Sequence, residues 1–215
     1  MTLSRRALLA ASPLLALLPL LPRRARAGDG DPLDDLLARI ARARAPLRTL
    51  QGPFTQTRAI GLLATEVRST GTLTLVRPDR LRWELAPPDD VVFTVGPEGL
   101  AYKSAHGQGR LSAASARIPG ALDDLRTLLG DDLGKLRERW TLRVLRDDAT
   151  GAELEATRRA VTTGAPRTMR FALGPDLVRP THVVLVEGPR DRTTIDFGAL
   201  VVDAPVDPAR MRLPP

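Results

Sequence analysis

Apolar residues recur at helical spacing directly after the dipeptide Asp31-Pro32. Asp is a preferred N-cap residue and Pro a preferred first residue of a helix. The pattern therefore predicts an amphipathic helix that begins at Pro32 and ends between Pro46 and Leu50. Its apolar face consists of Leu33, Leu36, Leu37 and Ile40. Its basic residues, which we expect to form a solvated face, are Arg39, Arg42, Arg44 and Arg48.

Beyond residue 53, apolar and polar residues alternate in short runs that are separated by turn residues, which predicts β-strands. In residues 80–85, for example, Leu81 and Trp83 fall on one face and charged residues on the other. One face of the sheet is thus apolar and the other is solvated, as in antiparallel sheets. The predicted strands cover residues 54–58, 67–76, 80–85, 91–95, 100–103, 140–146, 153–159, 168–173, 181–186 and 192–200.

A second amphipathic helix is predicted over residues 119–129, with Gly130 as its stop signal. Its apolar positions are Leu122, Leu125, Leu128 and Leu129. A single sheet of about ten short strands twists and curls, and its apolar face has to be covered. The sequence therefore predicts an α+β fold in which a curled antiparallel sheet is closed by amphipathic helices. Periodicity leaves open whether this sheet encloses a packed core or an apolar cavity.

The first 27 residues have the composition of a secretory signal peptide. They contain five arginines and no acidic residue, an apolar run over residues 7–21, and an A-x-A cleavage pattern at residues 25–27. The segment at residues 4–9 fits a twin-arginine signal, and an arginine-rich Sec signal fits equally well. We expect an exported protein with one domain over residues 28–215.

The net charge of +7 would by itself suggest a nucleic-acid partner. Without the five arginines of the signal peptide, however, 27 basic residues face 25 acidic ones, a net charge of +2. Aromatic residues make up only 3% of the chain, which disfavours stacking on single-stranded nucleic acid. We therefore expect no nucleic-acid partner.

Candidate catalytic groups are few. The chain has no Cys, which excludes thiol catalysis, disulfides and Cys-ligated metals, and neither of its two His has a ligand partner at metal-site spacing. We expect no metal, no cofactor and no enzymatic activity. A periplasmic hydrolase remains the weaker alternative, in which His106 or His182 would pair with one of the serines. The serines weighed for that role are Ser69, Ser104, Ser112 and Ser115.

Two further features suggest ordinary structural roles. The run Gly107-Gln108-Gly109 lacks the third Gly of a dinucleotide fingerprint and is interpreted as a turn. Three acidic pairs are interpreted as solvated charges in turns or on a helix face. These pairs are Asp89-Asp90, Asp123-Asp124 and Asp147-Asp148.

Two short motifs resemble those of a known family. Phe54-Thr55-Gln56 corresponds to an F-T-Q element, and residues 71–83 correspond to a G-x-L-x-x-x-R-P-x-x-x-x-W element that ends at Trp83. They occur in the family's order, after a signal peptide and an amphipathic helix. In these features the chain resembles the LolA family of periplasmic outer-membrane lipoprotein carriers, and the resemblance extends over the mature chain.

The resemblance implies an incomplete β-barrel with a helical lid over an apolar cavity, located in the periplasm. Such a protein, expected to be a monomer, takes acylated lipoproteins from an inner-membrane exporter of the ABC type. It shields their acyl chains and delivers them to an outer-membrane acceptor. LolA-like folds also include lipid or glycolipid carriers and lipoprotein-sensing regulators, and these alternatives stay open.

The resemblance also assigns roles to individual residues. Arg77 matches the family arginine that acts as a latch for the lid, and a strand-end arginine at a turn is the alternative interpretation. Leu81 and Trp83 match cavity positions, and alternation extends the lining to Leu73, Leu75, Val91, Phe93 and Val95. Each of these apolar residues is an equally good candidate for a plain core position. The helix with Leu122, Leu125, Leu128 and Leu129 is the candidate lid.

Overall fold

The computed structural model describes residues 31–61, 65–97, 99–111, 117–130, 133–160 and 166–212. The predicted signal peptide lies outside these residues. Within them, none of the helices combines the length and apolar character that crossing a membrane requires.

The first helix, α1, spans Pro32–Arg44. The Asp31 side chain accepts a hydrogen bond from the backbone N–H of Leu33 at 3.0 Å, as predicted for an N-cap. Leu36 and Ile40 are buried in the core. The helix ends earlier than predicted because Pro46 has no N–H to continue it, and the first strand begins only three residues later.

All twelve strands of the described residues belong to one antiparallel sheet. The strands are β1 Thr49–Ile60, β2 Thr65–Val76, β3 Arg80–Leu85, β4 Val91–Gly96, β5 Gly99–Ser104, β6 Gly107–Leu111, β7 Trp140–Asp148, β8 Gly151–Arg158, β9 Thr168–Leu173, β10 Pro180–Val186, β11 Arg192–Phe197 and β12 Val201–Val202. Their order is β6-β5-β4-β3-β2-β1-β11-β10-β9-β8-β7, and β12 pairs with β1. The sheet is open and curled, which confirms the predicted α+β incomplete barrel.

The strand β6 corrects the interpretation of residues 107–109 as a turn. The hairpin turn lies at residues 105–106, and β6 then pairs with β5 through Tyr102 and Gly109. Because β6 is at the edge of the sheet, most of its residues are exposed and it shows no apolar alternation. The periodicity that identified the other strands was therefore absent here.

The concave face of the sheet is covered by short helices. Besides α1, these are α2 at Arg117–Leu129 and α3 at Leu136–Arg139, with a 3₁₀ turn at Leu133–Lys135 between them. Their leucines join the inward-facing residues of the strands in one continuous core. The core therefore lies between the helices and the concave face, as the alternation of the strands requires.

The C-terminal segment crosses the opposite, outer face of the sheet. Thr49 Oγ1 donates to the carbonyl oxygen of Ala204 at 2.7 Å, and Arg82 donates to that of Arg210 at 2.9 Å. Arg210 in turn pairs with Glu84 at 2.6 Å, and Met211 is buried. The segment thus holds β1 and β3 from outside.

Candidate functional site

The two motifs of the sequence meet at one point inside the sheet. The Phe54 ring on β1 stacks on the Trp83 ring of β3 with 3.8 Å between ring centroids. Gly71 on β2 lies between these strands, where a Cβ atom would come within 2.5 Å of the Phe54 ring and 2.1 Å of the Glu84 carbonyl oxygen. Only glycine leaves room for this aromatic stack.

Register places the predicted cavity residues on the same concave face, in adjacent rows. One row contains Leu73, Trp83 and Phe93, which are direct cross-strand neighbours. The next row contains Leu75, Leu81 and Val95. All six residues are buried in the core. Around Leu75, Leu81 and Val95 the interior is filled.

The interior is open at the other end, where a cavity of about 260 Å³ lies between the sheet and α2. Three of the predicted lining residues, Trp83, Val91 and Phe93, contribute to its wall. The lid residues Leu122 and Leu125 close it from the helix side. All four lid leucines are buried, and Leu128 and Leu129 are not part of the cavity wall. The remaining walls are formed by Gln56, Arg58, Leu85, Asp89, Leu185, Glu187, Thr193 and Ile195. The apolar lining residues thus come from both the sheet and α2.

Arg77, the predicted latch, lies at the C-terminal end of α1. Its guanidinium donates hydrogen bonds to the carbonyl oxygens of Arg44 and Leu47, the second at 3.2 Å. The Arg44 carbonyl is at the end of α1, where carbonyl oxygens have no partner within the helix, and Leu47 lies three residues beyond it. Arg77 therefore positions α1 relative to the turn after β2.

Arg44 connects α1 to the end of α2. The sequence predicts this residue on the solvated face of α1, which the structure corrects. Its guanidinium donates to the carbonyl oxygens of Leu128 at 2.6 Å and Gly130 at 3.1 Å, at the end of α2, and to that of Leu177 at 3.3 Å. It is completely buried, and Nη2 has no hydrogen-bond partner among the described residues. Burial lowers the pKa of Arg44 to about 10, an effect that the nearby positive charge of Arg77 reinforces and the negative charge of Asp176 opposes.

Asp124 corrects the interpretation of the acidic pairs as solvated charges. Its carboxylate, on α2, is buried and pairs with Arg158 at 2.6 Å and Arg139 at 3.0 Å. It also accepts a hydrogen bond from Trp140 Nε1 at 3.3 Å, and the Arg158 guanidinium lies 4.2 Å from the centre of the Trp140 ring. These contacts attach α2 to β7 and β8.

The structure does not assemble the alternative catalytic triad from the described residues. Ser69 donates its hydroxyl hydrogen to Asp89, and Ser104 donates to the carbonyl oxygen of Gly107. His182 instead pairs with Asp196 at 2.7 Å on the solvated face. Ser112 and Ser115 lie outside the described residues. In the part of the chain that is described, no cluster of His, Asp or Glu is placed to hold a metal ion.

A larger groove of about 890 Å³ lies on the outer face, beneath the C-terminal segment. The residues that line this groove include none of the predicted latch, cavity or lid residues. Its lining is Arg48, Thr49, Val76, Arg80, Arg110, Asp203, Ala204, Pro205, Val206, Pro208, Met211 and Arg212. Because four of these residues are arginines and the groove is open to water, the smaller inner cavity is the better candidate for an apolar ligand.

The open, curled sheet with helices over its concave face defines the class of incomplete β-barrels. A family model described as outer membrane lipoprotein carrier protein LolA matches residues 45–212. The match covers more than half of the chain, and the chain belongs to the LolA family. None of the curated proteins matches it.

Several solved structures match this chain at low sequence identity. An uncharacterized conserved protein from Thermus thermophilus is 8% identical with a TM-score of 0.52, over 86% of this chain and 95% of that chain. A LolA superfamily protein from Nitrosomonas europaea is 10% identical with a TM-score of 0.42, over 80% and 94%. A chain of the Pseudomonas aeruginosa MucA/MucB complex is 15% identical with a TM-score of 0.48, over 84% and 60%. This protein thus spans less than two thirds of the Pseudomonas chain.

Proposed function

We propose that this protein is a periplasmic carrier that shields the acyl chains of lipoproteins between the inner and the outer membrane. The observation that carries the proposal is the cavity of about 260 Å³ between the concave face and α2, with Trp83, Phe93, Leu122 and Leu125 in its wall. Membership of the LolA family, whose model is described as a lipoprotein carrier, supports the same function. In this proposal the first 27 residues direct export and are removed.

The size of the cavity fits a carrier that has to release its cargo. Each buried methylene group contributes about 0.8 kcal/mol, so complete burial of several acyl chains would bind them very tightly. Pockets for whole small-molecule ligands commonly occupy about 300–1,000 Å³. The cavity in this structure is smaller than this and has room for part of a single chain. Binding of complete acyl chains then requires α2 to move away from the sheet. The return of α2 to the sheet assists their release.

The proposed partners follow from this cycle. Cargo is taken from an inner-membrane exporter of the ABC type and passed to an outer-membrane acceptor, while the carrier itself remains a monomer. Arg77, which contacts the end of α1, is proposed to control the movement of the helical cover.

A release assay tests the carrier function. Purified protein is added to inner-membrane vesicles that contain an acylated lipoprotein, and the soluble complex is quantified. We expect Val91→Trp, which fills the cavity, to reduce release at least about tenfold, since the indole displaces several methylene groups. Val92 follows Val91 in β4 but is absent from the cavity wall, and Val92→Trp is the matched control.

The assay also separates the carrier from the alternatives. Equal release by the Val91→Trp and Val92→Trp variants would contradict the cavity as the binding site. Failure of the unmodified protein to release lipoprotein, with free lipid bound instead, would favour a lipid or glycolipid carrier. The Arg77→Leu variant is expected to take up lipoprotein but not to pass it to the acceptor.

A further inference from the structure

Polar side chains interrupt the apolar lining of the cavity at one end. On the inward face of β1 the sequence changes from Phe54 to Gln56 and Arg58, and both of these line the cavity. Glu187, which directly follows β10, and Thr193 on β11 lie in the same part of the wall. Burying polar groups beside an apolar cavity costs free energy unless they gain hydrogen bonds.

Three of these polar side chains have no hydrogen-bond or ion-pair partner among the described residues. In the part of the chain that the structure describes, the side chains of Gln56, Arg58 and Glu187 make no hydrogen bond or ion pair, although each is only partly exposed. Arg58 and Glu187 have opposite charges and border the same cavity, yet they do not pair with each other. Their hydrogen-bonding groups therefore remain available to a ligand.

A second, smaller space continues from this end of the cavity. It has a volume of about 170 Å³ and shares three residues with the cavity, namely Arg58, Glu187 and Thr193. Its other lining residues are Ala59, Ile60, Asp191 and Arg192. We call this space the polar vestibule. It is positioned where the polar end of a molecule would lie if its acyl chain occupied the cavity.

The charge of the polar vestibule indicates the chemistry of that polar end. Two arginines and two acidic residues line it, so its formal charge is balanced. A phosphate group would gain from Arg58 but would be repelled by Glu187. An amide group instead offers a carbonyl acceptor to Arg58 and an N–H donor to Glu187.

We infer that the polar vestibule binds the peptide that adjoins an acylated residue, with Arg58 and Glu187 as its specificity-determining residues and Gln56 beside them in the cavity wall. This inference rests on the proposed carrier function and names the part of the cargo that the carrier distinguishes from ordinary lipid. The acyl chain supplies affinity in the cavity, and the peptide amides supply selectivity in the polar vestibule.

Calorimetric titration with three ligands of matched chain length tests this inference. The ligands are a diacylated cysteinyl peptide with uncharged residues, phosphatidylglycerol, and an n-alkane, which has no polar end. Arg58→Met, which removes the donor, and Glu187→Gln, which leaves a neutral acceptor, are each expected to weaken peptide binding about five- to tenfold, in the range of the net contribution of one hydrogen bond. Alkane binding should stay within about twofold, because the cavity itself is unchanged. Arg68→Met, at an exposed arginine of the neighbouring β2, is the matched control.

The outcomes distinguish the inference from the function on which it rests. Equal weakening of peptide and alkane binding would show that the two residues only shape the cavity, and would overturn the inference. The Glu187→Gln variant tests the assignment to amide groups, since it should weaken peptide binding but not phosphatidylglycerol binding. Equal weakening of both by Glu187→Gln would overturn that assignment. In both cases the unmodified protein still binds acyl chains. If the unmodified protein binds none of the three ligands, the proposed function and the inference fail together.

Discussion

Replacing Asp124 by Asn should destabilise this protein by about 3 kcal/mol, because it removes one partner of a buried ion pair. Asp124 is completely buried and its closest partner, Arg158, is 11% exposed. Without the carboxylate charge, Arg158 keeps its positive charge in a poorly solvated position beside Trp140. The free energy of unfolding, measured in urea, is the quantity to compare.

The matched control is Asp147→Asn, which removes the carboxylate of an ion pair that is not buried. Asp147 also pairs with an arginine, since its carboxylate accepts hydrogen bonds from Arg39 at 2.8 and 3.0 Å, but both side chains are partly exposed. Asp147→Asn should therefore cost less than about 1 kcal/mol. If the two variants lose the same free energy, Asp124 is not the buried anchor of α2 that its contacts indicate.

Replacing Arg44 by Met should loosen the end of α2 far more than it destabilises the whole protein. The three carbonyl oxygens that Arg44 contacts lose their donor, which costs about 1–3 kcal/mol locally. At the same time, a buried positive charge that lacks a hydrogen bond at Nη2 is removed, which offsets part of the global cost. We expect amide hydrogen exchange at the end of α2 to accelerate about ten- to a hundredfold.

Hydrogen exchange followed by mass spectrometry resolves this effect by segment. Arg42→Met provides the control, because Arg42 is exposed and lies two residues before Arg44 on the same helix. Exchange in β8 and β9 should remain unchanged in both variants. Uniform acceleration throughout the sheet would mean that Arg44 supports the entire core, and no acceleration at α2 would mean that its hydrogen bonds do not hold the helix.

The sequence predicted the parts of the fold that depend on local alternation. The inward positions of β2, β3 and β4 follow from the period of two, and the register then places Trp83 beside Leu73 and Phe93. The motif residues Phe54 and Gly71 were identified from the sequence, and the structure supplies the physical reason in the aromatic stack. A period of two does not determine how far the helices fill the concave face.

The burial of two charged residues, Arg44 and Asp124, could not be predicted from the sequence. Arg44 is one of four arginines that were all interpreted as solvated, and only the docking of α2 against α1 buries it while its neighbours remain exposed. Asp124 is likewise buried by distant segments, since Arg139 and Arg158 approach it from other elements. Contacts between residues so far apart in the chain leave no local pattern.

Contacts between distant segments also determine which of the predicted lining residues lie in the filled core and which lie in the cavity wall. Leu73, Leu75, Leu81 and Val95 occupy the filled end, whereas Val91 and Phe93 lie in the open end beneath α2. Alternation assigned all of them to one face correctly. Which of them contact ligand depends on the positions of α1 and α2.

The most direct test of the central claim uses the two tryptophans. Trp83 lies in the cavity wall, whereas Trp140 is completely buried and lies outside it. A fatty acid brominated along its chain quenches tryptophan emission only at short range. If acyl chains occupy the cavity beneath α2, the brominated chain will quench the unmodified protein but not the Trp83→Phe variant, and the unbrominated chain will quench neither. Quenching that persists without Trp83, or that is absent from the unmodified protein despite binding, would contradict the assignment of this cavity as the acyl-chain site.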